Sequence, residues 1–394
     1  MLLTYRGFAR EPGSPLHEAM AHLRGHRRGR GGESAARPYL LGCAPVARMN
    51  PYQQLLYRGM AAQDIVTTPV LSVDGFDPLL AVRAETSGVG VHLHWLNPVL
   101  AGARDGADAR ARVDRFLERV DGFIDAGGRV VWTVHNVLPH DAVHLEQERR
   151  LQQGVADRAH LIHVMHPDTA DVLGESLRWD SARTVVAPHP SYAGAYPDTV
   201  RRDEARGVLG IHEDEVVYVA LGAIKAYKGI DTLLDAFDQL CREDVTPRRL
   251  VVAGPADTSP HTRALVKRLR TNPRVLVQAG PVPGDRVQYL LRSADMAVLP
   301  HLRALNSGGA LLGPTYGLPV LAARVGVLPA VLQPEFTEFF QDHTVPGMTA
   351  GLRAADRLLS AEARDAASDF ARQHDPDLIG ERFAQVLRAR LWAA

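Results

Sequence analysis

The sequence predicts an α/β protein built from two Rossmann-like, doubly wound domains. Three observations carry that prediction. The 394 residues suit two domains of roughly 180 to 200 residues each rather than one core. Short aliphatic runs without internal charge recur, separated by helical patterns. The recurrence happens twice, on either side of a stretch rich in proline and glycine.

In the first half RPYLLGCAP, DIVTTPVL, GVGVHLHWL, RVVWTVHN and HLIHVM read as strands buried on both faces, and TVVAPHP closes the set. DARARVDRFLERVDGFIDAGG, between two of them, reads as a covering helix. The second half repeats the pattern with EVVYVALGAI, RRLVVAGP, RVLVQAGPV, DMAVLPH and LPVLAARV. Between the halves, PHPSYAGAYPDTVRRDEARGVLG keeps no apolar period and reads as the link. The expected boundaries are a basic arm over 1–36, one domain over 37–192, a second over 193–375, and a helix over 376–394 packing back toward the first domain.

Lysine plus arginine equals aspartate plus glutamate at 45 each, so no global field draws nucleic acid or membrane, and any anion site is local. Cys43 and Cys241 have no metal-ligand spacing and point to a reduced, cytoplasmic protein. No apolar run is long enough to span a membrane, and the N-terminus lacks the apolar core of a signal peptide. HLRGHRRGRGG, with His26, Arg27, Arg28 and Arg30, reads as a solvated arm, or else as a contact to anionic lipid at the inner membrane face or to an acidic partner.

Positive charge comes almost wholly from arginine; the lysines are Lys225, Lys228 and Lys267. Two of them share GAIKAYKG, where a strand ends at Leu221-Gly222 and a helix begins at GIDTLLDAF. Ligands of open α/β sheets bind beyond the carboxyl ends of strands, and two ammonium groups there suit a phosphate or diphosphate. The alternative is that both are solvated loop charges. A second piece, PHLRALNSGGALLGPTYGLPVLAARVG, places Asn306, Ser307, Gly308 and Gly309 after a strand and ahead of a helical run. Small residues there permit close backbone approach to an anion, or form an ordinary N-cap.

With these pieces in order, the second half resembles the donor-binding domain of GT-B glycosyltransferases, especially family 4 of the retaining enzymes. Gly222, Lys225, Lys228 and Gly229 match the family's glycine, basic residue and Lys-Gly at a helix start. AGPVPGDRVQYLLRSADMAVLP resembles its nucleotide-contacting loop and helix, and GLPVLAARVGVLPAVL its closing Gly-x-Pro-Val segment. HLHWLNP and WTVHNVLPHD resemble acceptor-domain strands, and the resemblance spans about residues 39 to 330. Two departures stand out. Ala223 occupies the usual arginine position, and the usual paired glutamates fall near Ala304 and Leu312, in a bacterial variant with Asn-Ser-Gly instead.

The resemblance implies two domains facing across a cleft and a metal-independent, retaining transferase, of hexoses by expectation. It would move a sugar from a UDP-, GDP- or dTDP-type donor to a hydroxyl on a saccharide, lipid-linked or small-metabolite acceptor, with no further cofactor and no nucleic acid. Lys225 and Lys228 would stabilise the departing diphosphate, and His135, the histidine matching the one that contacts donor sugar, would stand at the reaction centre. The expected donor set is Gly222, Lys225, Lys228, Val282, Asn306, Ser307, Gly308 and Gly309. The acceptor set is Asn50, Tyr52, His94 and His140, where His94 is either an acceptor contact or core. Tyr57 reads as helix packing, His163 and His166 as structural, and Asp295 as a brace for the strand after it. The competing readings are a non-catalytic nucleotide-sugar-binding or partner-activating protein, and a sugar-nucleotide epimerase or phosphorylase on the same fold.

Overall fold

The computed structural model describes residues 15–29, 37–47, 50–138 and 142–392. The chain divides into two units, the first running to Pro190 and resuming at Pro376, the second being Ser191–Asp375.

The first unit is a six-stranded sheet of β1 (Tyr39–Ala44), β2 (Ile65–Pro69), β3 (Gly88–Leu93), β4 (Arg129–Thr133), β5 (Leu161–Val164) and β6 (Thr184–Val186). All pairings are parallel, in the order β2-β1-β3-β4-β5-β6. Parallel neighbours need crossovers, which here are helices such as Gly106–Asp125. Asp105 starts that helix by accepting from the Asp108 N–H, and Val113, Phe116, Val120 and Phe123 form its buried stripe. The last helix, Pro376–Leu391, joins this unit and buries Ile379, Phe383, Leu387 and Leu391 in the core that holds Leu41 and Val131.

Over its described residues the basic segment departs from the solvated arm expected of residues 22–32. These residues belong to a helix, Pro15–Gly29, with Ala19 and Leu23 buried one turn apart. His22 Nδ1 donates to the Thr67 carbonyl at 2.8 Å, His26 lies 3.3 Å from Asp64, and Arg27 donates to the Glu85 carbonyl. An apolar stripe thus outweighs the charge run that surrounds it. Arg30 lies outside the described residues. Among the described residues no helix is long and apolar enough to cross a membrane.

The second unit holds β7 (Val216–Leu221), β8 (Arg248–Gly254), β9 (Val275–Ala279), β10 (Met296–Leu299), β11 (Val320–Ala323) and β12 (Thr337–Phe340). The order is β12-β11-β10-β7-β8-β9, again all parallel. The sequence reading missed β12. TEFF is an edge strand with an interior glutamate, and Glu338 turns outward to meet Arg357 at 2.9 Å. Such a strand carries no continuous apolar run.

Asp295 is the brace expected of it. One carboxylate accepts from Arg202 at 2.6 Å, Arg206 at 2.8 Å, Arg364 at 2.9 Å and the Val217 N–H at 2.9 Å. The Asp295 N–H donates to the Val217 carbonyl at 2.8 Å. This network ties the start of β10 to the start of β7, which pair directly through only Met296↔Tyr218 and Ala297↔Val219. The opposite ends of the same two strands lead to the lysine turn and to the Asn-Ser-Gly segment.

Candidate functional site

In the second unit, strand order reverses at β7, with β8 and β9 built outward on one side and β10 placed on the other. Ligands of doubly wound sheets bind at such a reversal, beyond the carboxyl ends of the two strands. Gly222 leaves β7 with φ +145°, and Ile224 bridges to Ala256 beyond β8. Lys225 is extended and half-buried at the head of the short turn Ala226–Lys228. Gly229 ends the turn at φ +64°, and a Cβ there would strike the Pro300 carbonyl, so only glycine lets the two loops meet.

That meeting places Lys228 Nζ 2.6 Å from His301 Nε2, across 73 residues of sequence. An ammonium only donates, so Nε2 accepts and the His301 proton sits on Nδ1. Ser307 Oγ approaches the same Nε2 at 3.5 Å. Burial pushes Lys228 down to about 8, with no ion pair among the causes that would hold it up. The result is a desolvated cation whose charge complement would be a ligand.

Ser307 and Gly308 precede the short helix Gly309–Thr315, and a Cβ on Gly309 would come 2.6 Å from Leu299 Cδ2. Asn306 is half-buried beside them. Val282 leans on the apolar core of Val217, Val251, Leu290 and Leu291, as does Leu312 at one position of the absent glutamates. The structure therefore joins Lys228, Gly229 and Ser307 around His301, with Gly222, Lys225, Asn306, Gly308 and Gly309 in the same two loops. His301 was not singled out from sequence. Its signal was present: a histidine one residue past the strand segment DMAVLP.

In the first unit the reversal falls between β1 and β3. His92 and His94 come from β3 and the residue after it, His135 follows β4, and His163 lies in β5. His94 is buried: its Nδ1 lies 3.0 Å from His135 Nε2 and its Nε2 lies 2.6 Å from the Tyr57 hydroxyl. Tyr52 is likewise buried. Its ring packs edge-on to His135 at 5.3 Å, and its N–H donates to Asn50 Oδ1 at 3.0 Å. Asn50 is exposed, and its side chain closes that local turn. His140 lies outside the described residues.

His135 is half-buried, with Trp95 stacked on it at 4.4 Å and 18°. Tyr57 does more than pack, since its hydroxyl also lies 2.8 Å from His92 Nδ1. His92 Nε2 reaches Thr133 Oγ1 at 2.6 Å, Thr133 reaches His163 Nδ1 at 2.9 Å, and His163 Nε2 reaches the Ala187 carbonyl at 2.9 Å. Phe383 lies under His163, 4.7 Å between ring centres. Burial first, and then mutual repulsion, holds His92, His94 and His135 well below the ordinary histidine range. Burial brings His163 down to about 4, against the opposing bond to Ala187. All four are neutral at pH 7.

Two parallel six-stranded sheets, each with one reversal of strand order, define a protein of GT-B architecture. Residues 201–374, which lie within the second unit, match the family model of Glycosyl transferases group 1. Solved structures of the same fold include sucrose-phosphate synthase from Thermosynechococcus elongatus, at TM-score 0.67 and 15% identity, covering 89% of this chain and 98% of that one. They also include Anabaena HepE in complex with UDP and glucose, at TM-score 0.64 and 12% identity, covering 88% and 98%. Among curated proteins, the D-inositol 3-phosphate glycosyltransferase of Saccharomonospora viridis is 28% identical over 201 residues, 46% of this chain and 45% of the relative. An uncharacterised glycosyltransferase of Methanocaldococcus jannaschii is 29% identical over 152 residues, 39% and 38%. The chain spans less than half the length of each of these two curated relatives.

Proposed function

We propose that this protein transfers a glycosyl group from a nucleotide-diphosphate sugar to an acceptor hydroxyl. The observation that carries this reading is the desolvated Lys228 ammonium, set at the reversal of the second sheet against His301 and Ser307. Breaking the glycosidic bond leaves negative charge on the departing diphosphate, and preorganised cations in a desolvated site stabilise that charge as it develops. Lys228 and Lys225 supply it, with the Ser307-Gly308-Gly309 backbone close enough for phosphate oxygens. Charge from two lysines lets the reaction run without a metal. Retention of configuration is supported by the resemblance to retaining enzymes, and a nucleotide sugar by the UDP and UDP-glucose in the HepE complexes. In this scheme His135 meets a hydroxyl of the transferred sugar. The acceptor is a saccharide, a lipid-linked saccharide or a small metabolite.

The test is titration of the protein with UDP, GDP and dTDP beside the monophosphates. One diphosphate is expected to bind well above its monophosphate. Lys228→Ala should then weaken it roughly 10- to 100-fold, about 1.5 to 3 kcal/mol for charged hydrogen bonds. Lys225→Ala should weaken it as well. Affinity has a pH signature as well. A bound diphosphate raises the Lys228 pKa from its free value of about 8, so binding takes up a proton and affinity falls as pH rises through 8. Diphosphate affinity that is unchanged in both variants would end the assignment.

A further inference from the structure

The buried chain of hydrogen bonds in the first unit has a direction, and its far end decides it. The Ala187 carbonyl can only accept, so His163 Nε2, 2.9 Å away, carries the proton. A neutral imidazole has one N–H, so His163 Nδ1 accepts from the Thr133 hydroxyl. Thr133 has then spent its hydrogen and accepts from His92 Nε2–H. His92 Nδ1 accepts from the Tyr57 O–H, the Tyr57 oxygen accepts from His94 Nε2–H, and His94 Nδ1 accepts from His135 Nε2–H. Reversing every bond would set the His163 Nε2 lone pair against the Ala187 carbonyl oxygen in a buried site, where an unmade bond is not replaced by water.

We propose that this chain is a tautomer lock on His135: it holds the ring proton on Nε2 and keeps Nδ1 a hydrogen-bond acceptor, so a group that meets Nδ1 must donate a hydrogen bond, as a hydroxyl does and an anionic or carbonyl oxygen does not. Thr133, Tyr57, His92, His94 and His163 are positioning residues in this scheme. The lock stands independently of glycosyl transfer; a sugar hydroxyl as its ligand rests on that reading. The location fits the role. The lock begins in the core under Phe383 and ends at the half-buried ring stacked on Trp95. His92 and His94 come from β3 and its end, Thr133 and His135 from β4 and its end, and His163 from β5, so the tautomer at one strand end is set from the carbonyl that follows β6, at the sheet's edge.

Histidine ring nitrogens report their protonation directly in two-bond proton–nitrogen correlation spectra of the full chain labelled with [15N]histidine. At pH 7.5, with resonances assigned from single His→Gln variants, His135, His94, His92 and His163 are expected as Nε2–H tautomers. His135 as the Nδ1–H tautomer or as an imidazolium would overturn the proposal without any variant needing to fold. Thr133→Val removes the link to the carbonyl, and a second, Nδ1–H population at His135 is expected. Thr133→Ser restores the hydroxyl and should restore the single tautomer. A Thr133→Val protein with His135 still wholly Nε2–H would show that the chain does not set it. Absence of any nucleotide-diphosphate binding would end the glycosyl-transfer reading and leave these spectra as they are.

Discussion

Acidification from pH 7 to pH 4.5 is expected to unfold the first unit, with loss of stability beginning below about pH 6.5 rather than in the carboxylate range. His92, His94, His135 and His163 are neutral in the fold and held below their ordinary value, His163 at about 4. Unfolded, each takes up a proton near pH 6.5. In the window between, the unfolded chain binds more protons than the folded one. Stability is therefore full above the unfolded value and falls as pH drops through the window. His163 alone accounts for about 3 kcal/mol, since each pH unit between its folded and unfolded values is worth roughly 1.4 kcal/mol. The other three add to this in the same direction. The measurement is convenient because all four tryptophans, Trp95, Trp132, Trp179 and Trp392, belong to the first unit. Their fluorescence in urea titrations at pH 7, 6 and 5 reports that unit alone. A midpoint that does not move between pH 7 and 5 would mean that these histidines are not neutral and buried as described.

Arg206→Met is expected to cost the second unit about 3 to 5 kcal/mol, the range for breaking a buried, fully bonded charge network. Arg206 is buried and serves five acceptors: the carbonyls of Ser293, His212, Glu213 and Glu215, and Asp295. Methionine fills much of the volume and none of the bonds. Asp295 would retain Arg202 and Arg364, so the loss falls chiefly on the buried Ser293 carbonyl and on the part-buried carbonyls of His212, Glu213 and Glu215. The same change loosens the brace between β7 and β10 at the end opposite Lys228 and His301. Chemical denaturation followed by far-ultraviolet circular dichroism reads the cost, and a change below about 1 kcal/mol would place the brace elsewhere.

Local sequence determined a good deal of this molecule. Eleven of the twelve strands were legible as aliphatic runs without internal charge, because strands of a parallel sheet covered on both faces are largely apolar. The edge strand β12, with Glu338 inside it, sends no such signal. The lysine turn was legible because glycines and lysines mark it within eight residues, and Asp295 because of its place at the head of a strand. The helix Pro15–Gly29 was hidden by its charges, although two buried apolar residues one turn apart anchor it.

Tertiary structure alone decided how the chemistry is assembled. Lys228 acquires His301 from 73 residues away because β10 lies beside β7 in the sheet, a choice of strand order that no local pattern records. His94 and Tyr52, each plausible as a surface contact, are buried because β3 and the loop after β1 lie at the centre of the first sheet. The proton on His135 is settled by the Ala187 carbonyl. Hydrogen bonds couple neighbours in space, and only folding makes those two residues members of one chain.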